Sequence, residues 1–441
     1  MPSKTAQRKQ QKRDTEKAKA KVAEMVSAGK KPATPKKKAA EKKAQITPAE
    51  RIDQIIAATN ATHESVVIRR ASESTTSHVL RRPTGIPDLD IALAGGFPGG
   101  ALSLITGPDG AGKDYILNCI IRELQKNYGE EMRVAIFSTE FPYDKDFARE
   151  KCGVKVADTD EEIAEKQLSR MQRGQAPLTD DEIVELQTQV GSIYLIQGII
   201  VDHGLDLVLE CLGTGMFQMI AINSLGVFET QAKDDTESVS EHAIQSSEAQ
   251  LLGRFIPKMF MMLNRTTELG GRNETTLIAT NQVRANRDQV RMKPGVPVPA
   301  HMKYQPGSGS RALAHGKAID VMLHKGPVIL DKADDPPTQI GRTINWELTK
   351  GKLGTHDGLK GSYEFYYDFG ADIPSSLLTA GVRFGIIEQA GAWYSYEDEN
   401  ADLSWRAQGA NAARTPLTRA DIAAAIYQKI IAAAKISCRF V

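Results

Sequence analysis

The stretch ALSLITGPDGAGKDYILNCIIRELQKNY, residues 101–128, decides the fold class. Its first six residues are a near-continuous apolar run, the pattern of a strand buried on both faces. Gly107-Pro108-Asp109-Gly110-Ala111-Gly112-Lys113 follows at once and fits G-x-x-x-x-G-K, and Tyr115 to Tyr128 reads as a helix. In that order, glycines let backbone amides curl round a phosphate and the helix N-terminus adds partial positive charge. Lys113 then reaches the terminal phosphates. A plain glycine-rich strand-to-helix turn is the alternative, and the flanking strand and helix favour a nucleotide site.

The surroundings of this loop depart from the usual pattern. The residue after Lys113 is Asp114, where a Ser or Thr hydroxyl would bind Mg²⁺. The apolar run Met219 to Ile222, which should end in an acid, ends in Asn223 and Ser224. One position has gained a carboxylate and another has lost one. Either Asp114 supplies the anionic contact near Mg²⁺ that Asn223 cannot, or metal binding is degraded and nucleotide is held with little turnover. A third run, Val134 to Phe137, ends in Ser138, Thr139 and Glu140, which puts a carboxylate where a base could orient water toward a γ-phosphate.

Working outward, apolar runs recur at 101–106, 133–138, 192–197, 218–222, 276–281 and 318–324 with helical stretches between them, predicting an α/β domain with a mostly parallel sheet. A charged helical insertion occupies 155–188, and 329–338 reads as a surface loop. After residue 372, helical 375–384, Trp393, Tyr394, Tyr396 and Ala-rich 422–434 predict a small α+β domain. Upstream, Thr47 to Glu50 is a helix start followed by Ile52, Ile55 and Ile56 at helical spacing, and 65–70 reads as a strand. One helix and one strand make no core, so 47–82 must dock on this chain or on a neighbouring copy. The expected organisation is therefore 1–46, 47–82, 83–371 and 372–441.

With 441 residues, and 56 Lys+Arg against 55 Asp+Glu, neither size nor net charge singles out a partner. The distribution does. Residues 1–44 carry 15 Lys/Arg and 4 Asp/Glu, a composition expected to stay disordered as either a solvated tail or an electrostatic arm for phosphate backbone. Four scattered cysteines argue against a zinc site or disulfide framework. No run of about 18 apolar residues is present, so no membrane partner is expected. Residues 282–311 form a long segment with little predicted regular structure, holding Arg284, Arg287, Arg291, Lys293, Lys303 and Arg311 among glycines. Such loops suit single-stranded nucleic acid held largely without regard to sequence.

Together these pieces resemble the bacterial RecA recombinase family and its phage UvsX-like relatives over about residues 48–415. The matching pieces, in order, are Thr84-Gly85-Ile86 with Leu89-Asp90, the phosphate loop, AIFSTE (135–140), INS (222–224), TNQVR (280–284) and GAWYSY (391–396), the last being the most specific. The resemblance implies a RecA-like ATPase core, an N-terminal helix-strand oligomerisation element and a small C-terminal domain. It implies that the phosphate loop and Lys113 bind ATP with Mg²⁺, that Glu140 is the catalytic carboxylate, and that Asp144 and Phe147 lie against the adenine. Gln282 would sense the γ-phosphate. Lys350 and Lys352 would reach across a filament interface to a neighbour's ATP. Residues 232–247 would be a first DNA loop, acidic here, and 282–311 a second.

The implied activity is that of a cytoplasmic, DNA-dependent ATPase, in a bacterium or a phage-infected host. It would form a helical filament on single-stranded DNA and pair it with homologous duplex, with a single-strand-binding protein and a loading mediator as further partners. Asp114 and Asn223 motivate an alternative, an accessory DNA filament protein with weak or no hydrolysis. A ring-forming helicase is a third, weaker reading.

Overall fold

The computed structural model describes residues 47–62, 79–225, 241–265, 267, 271–285, 304–306, 311–331, 333 and 336–437. The N-terminal tail, the strand expected at 65–70, most of the first DNA loop and residues 286–303 lie outside these. The chain divides into two units at residues 59 and 60. The expected helix begins at Pro48 in the first unit and runs to Thr62. Its start is a reciprocal cap: the Glu50 amide donates to Thr47 Oγ1 at 3.3 Å and the Thr47 amide to Glu50 Oε2 at 2.7 Å.

The second unit is built on a central sheet of ten strands: β1 (Ala101–Gly107), β2 (Arg133–Ser138), β3 (Ser192–Ile196), β4 (Met219–Asn223), β5 (Thr276–Ala285), β6 (Tyr304–Pro306), β7 (Lys317–Asp331), β8 (Thr338–Lys350), β9 (Lys360–Tyr366) and β10 (Gly370–Ala371). The spatial order is β10-β9-β8-β7-β1-β5-β4-β2-β3, with β6 paired to β5. Strands β7, β1, β5, β4, β2 and β3 run parallel, while β8, β9 and β10 continue the sheet antiparallel. The parallel strands are covered on both faces, which is why they read as unbroken apolar runs: β1 is buried at every residue. On one side the helix Lys113–Tyr128 packs Ile116, Ile120 and Leu124 against the sheet. On the other, Val208 and Leu212 of helix Val201–Thr214 meet Phe255 and Met259 of helix Glu241–Asn264. Gly204 is required here by close approach, since a Cβ on it would lie 2.2 Å from the Phe137 ring.

Two expectations need correction. Residues 329–338 are not all loop: β7 extends to Asp331 and β8 begins at Thr338, so the pair is one long hairpin. Beyond Met322, β7 no longer pairs with β1, so Pro327 removes no ladder hydrogen bond on that side. Likewise the segment 282–311 is regular at both ends. Strand β5 continues to Ala285, β6 pairs back onto Val283–Ala285, and Arg311 opens the helix Arg311–Gly316. The insertion is helical as expected, in two helices, Asp160–Gln172 and Asp180–Gln187, each started by a Thr/Glu capping box.

The C-terminal part folds around Leu377, Ile387, Tyr396, Ile426 and Ile430. It has a three-stranded sheet of Glu388–Ala390, Trp393–Tyr396 and Trp405–Gln408, with the helices Ile373–Arg383 and Ala420–Ser437. Gly391, at φ +60°, turns the hairpin that carries WYSY. The lead-in motif ties this part to the core. Buried Asp90 accepts from the Thr84 amide (2.7 Å), the Thr84 hydroxyl (2.9 Å), the Gly85 amide (2.8 Å) and the Tyr427 hydroxyl (2.7 Å).

Candidate nucleotide-binding site

Strand register assembles the site. Thr106 and Gly107 of β1 lie beside Asn281 and Gln282 of β5, and Ser138 of β2 lies beside Asn223 of β4. These four strands therefore bring together the phosphate loop and Glu140, in the loops leaving β1 and β2, with Asn223 at the end of β4 and Gln282 within β5. This is the crevice where open α/β sheets take ligands.

The loop takes the expected shape, with Gly110 at φ +63° and Gly112 at φ +88°, conformations open to glycine. It borders a cavity of about 650 Å³ lined by Gly110, Gly112, Lys113, Asp114, Glu140 and Asn223 at one end. Asp144, Phe147, Tyr143, Phe365 and Tyr367 line it too, giving it an aromatic part. That volume suits a nucleotide-sized ligand, which such pockets of roughly 300–1,000 Å³ bind. Asp144 caps the helix Lys145–Glu150, accepting from the Phe147 amide at 2.8 Å, which fixes both residues at the cavity wall. Tyr143 is held by its hydroxyl, which donates to Asn118 Oδ1 at 2.6 Å.

Lys113 is folded back, donating to the carbonyls of Gly107 and Pro108 at 3.1 Å each. Burial lowers its pKa, while Asp109, Asp114 and Glu140 pull the other way. Asp114, in the first turn of its helix, has its pKa raised by burial and lowered in part by Lys113 and by the Asn223 hydrogen bond. Asn223 Nδ2 donates to Asp114 Oδ1 at 3.0 Å, and Asn223 Oδ1 accepts from Thr280 Oγ1 at 2.6 Å. The two residues that depart from the usual motif are thus partners: the amide orients the carboxylate. Among the described residues no cluster of three or more His, Cys, Asp or Glu could cage a metal. Mg²⁺ on a nucleotide needs only one or two protein carboxylates beside phosphate and water, so Asp114 fits as its ligand and Asn223 as the group that positions it.

Glu140 is bridged to the residue after β4 and to a residue of β5. Its Oε1 accepts from Ser224 Oγ and, at 3.0 Å, from Gln282 Nε2. Thr139 braces the same corner, donating from its hydroxyl to the Ser224 carbonyl at 2.8 Å and accepting from the Ser224 amide at 3.0 Å. The carboxylate at the cavity wall is thus hydrogen-bonded to a glutamine of β5.

The comparisons with known proteins bear on the whole arrangement. Residues 375–435 match the family model of the RecA C-terminal domain. The chain is 26% identical over 317 residues to "Protein RecA" of Ruminococcus albus, covering 72% of this chain and 64% of that one. It is 24% identical over 333 residues to "Protein RecA" of Streptomyces coelicolor, covering 75% and 72%. The "Protein RecA" of Chlorobaculum parvum is 23% identical over 334 residues, covering 76% and 78%. The chain is thus similar to RecA proteins over about three quarters of its length, and its C-terminal part matches their C-terminal domain.

Not every residue singled out from sequence lines this cavity. Lys350 Nζ donates instead to its own protomer's Ala314 carbonyl at 2.5 Å, and neither Lys350 nor Lys352 lines the cavity. Burial lowers the pKa of Lys350, helped by Lys352 and Lys317. Arg287, Arg291, Lys293 and Lys303 lie outside the described residues, as does the side chain of Arg284. Arg311 is exposed at the start of its helix. Conversely, Lys325, Arg342 and Ile344 of β7 and β8, with Phe365 of β9, line the cavity without having been read from sequence. They stand some two hundred residues from the loop, and only the strand pairing brings them over it.

Proposed function

We propose that the protein is an ATP-dependent, DNA-stimulated ATPase that forms a helical filament on single-stranded DNA and promotes homologous pairing and strand exchange. The observation that carries this reading is the Gln282–Glu140 hydrogen bond at 3.0 Å, at the point where β5 leaves the nucleotide cavity for the basic segment 286–303. A γ-phosphate that draws Glu140 toward attacking water releases or re-aims Gln282, and so changes the state of the segment beyond it.

In this reading the loop 107–113 holds the ATP phosphates, Asp114 holds Mg²⁺ with Asn223 orienting it, and Phe147, with Asp144, meets the base. When bound, Mg²⁺ supplies charge neutralisation on the phosphates. Glu140 orients and deprotonates water. Lys350 and Lys352 complete a neighbour's site, so turnover depends on assembly, with 47–82 as the oligomerisation segment. Among the described residues no helix is long and apolar enough to cross a membrane. The setting that goes with this reading is the cytoplasm of a bacterium or a phage-infected host. Single-strand-binding and loading proteins are the expected helpers.

A second reading, an accessory filament protein that binds ATP but hydrolyses little, is favoured by the same Asp114–Asn223 pair if it withholds the carboxylate from metal. Negative-stain imaging with ATP and single-stranded DNA, paired with a strand-exchange assay, tests the proposal. Helical filaments with exchanged strands support it; filaments without exchange favour the second reading, and closed rings refute both.

A further inference from the structure

Resting on the proposed ATP site, a second cation of the same protomer remains without a task. Lys325 lines the cavity together with Gly110, Lys113 and Asp114. Its Nζ lies 3.4 Å from where a Cβ on Gly110 would sit, so the ammonium hangs over the apex of the phosphate loop. Its charge also acts on Lys113, disfavouring the charged form there.

The strand geometry aims it. Lys325 pairs with Ile344, but Val328 pairs with Arg342, so β7 spends one residue more than β8 between the two rungs. That bulge contains Gly326, where a Cβ would meet the Thr343 carbonyl and the Asn345 amide at 2.8 Å. Bulges redirect side chains, and this one turns Lys325 onto the loop.

Lysines nearby in the sheet have partners: Lys317 of β7 pairs with Asp320, Lys360 of β9 with Glu347 at 3.1 Å, and Lys350 of β8 donates to the Ala314 carbonyl. Among the described residues Lys325 has none. The carboxylates nearby are engaged elsewhere, Asp114 with Asn223 and Glu140 with Ser224 and Gln282. Asp109, the loop carboxylate nearest Lys113, stands 4.0 Å from it with its side chain largely in solvent, so two ammonium groups border the loop with a polyanion as their complement.

We propose that Lys325 is a phosphate-binding residue acting within its own protomer, its ammonium taking up charge on the di- or triphosphate chain over Gly110, opposite Lys113. Unlike Lys350 and Lys352, it needs no neighbour, so tight polyphosphate binding precedes assembly.

The test is equilibrium binding of ATP, ADP and AMP to the dilute full-length protein without DNA, by competition against a fluorescent ATP analogue. Lys325→Ala is expected to weaken ATP and ADP by about tenfold or more and AMP by less than about twofold, while Lys325→Arg stays near wild type. Unchanged ATP affinity, or an equal loss for AMP, overturns the inference. Should the alanine variant fail to fold, Lys325→Gln is read by the same criteria. Wild-type protein that binds no ATP, or Lys113→Ala that binds it undiminished, overturns the proposed nucleotide site itself. Wild-type binding that Lys113→Ala weakens and Lys325→Ala does not overturns only the role of Lys325.

Discussion

Replacing Asp114 by Thr restores the hydroxyl usual at this position and removes the carboxylate that Asn223 orients. The structural cost is small. The lost hydrogen bond, Asn223 Nδ2 to Asp114 Oδ1 at 3.0 Å, is charge-assisted, and such bonds contribute about 1.5–3 kcal/mol. The threonine oxygen can accept from the same amide, which leaves a net loss of about 1 kcal/mol. The chemical effect is larger. If Asp114 is the Mg²⁺ ligand, removing it raises the Mg²⁺ concentration needed for half-maximal turnover by about tenfold or more, a typical range for weakened metal sites. Because burial raises the Asp114 pKa, its proton persists to higher pH than on an ordinary aspartate. The wild-type Mg²⁺ requirement therefore falls as pH rises through that raised value, and Asp114→Thr loses this dependence. The assay is phosphate release against Mg²⁺ concentration at several pH values, with saturating single-stranded DNA. Faster turnover by the threonine variant at every Mg²⁺ concentration refutes the reasoning and favours the weakly hydrolysing filament.

Three further outcomes follow from the geometry. Gln282→Ala removes the donor to Glu140, so basal ATP turnover should change by only a few-fold while DNA stimulation is lost; retained stimulation in the same assay counts against the link. Tyr427→Phe removes one of four donors to buried Asp90 and should lower unfolding stability by about 1–3 kcal/mol in denaturant titration, with nucleotide affinity unchanged. Gly204→Ala sets a methyl group 2.2 Å from the Phe137 ring and should cost about 1–3 kcal/mol through repacking under β2, read as a lower melting temperature.

The sequence made the parallel half of the sheet legible because strands buried on both faces must be apolar throughout: the run at 133–138 coincides with β2, and the others fall within a residue or so at their starts. The hairpin strands β8 and β9 went unread because only one face of each is well buried, as the alternation of Ile344, Trp346 and Leu348 shows. At the site, the phosphate loop, Glu140 and Asn223 were legible because each ends an apolar run. That Asn223 serves Asp114 rather than replacing a lost acid could not be read, since the two residues are 109 positions apart. Lys325 was hidden for the same reason, compounded by a bulge that no composition signal announces. Of the two lysines expected to act across an interface, Lys350 donates within its own protomer, to the Ala314 carbonyl.

The most direct measurement of the central claim is ATP turnover by the full-length protein with and without single-stranded DNA, beside a Glu140→Gln control. Glutamine keeps an oxygen for Ser224 and Gln282 but removes the base, a change expected to slow chemistry by about a hundredfold or more. Turnover strongly raised by DNA in the wild type and lost in the variant, with ATP binding intact in both, is the predicted result. Wild-type turnover that ignores DNA, or that survives Glu140→Gln, contradicts the account.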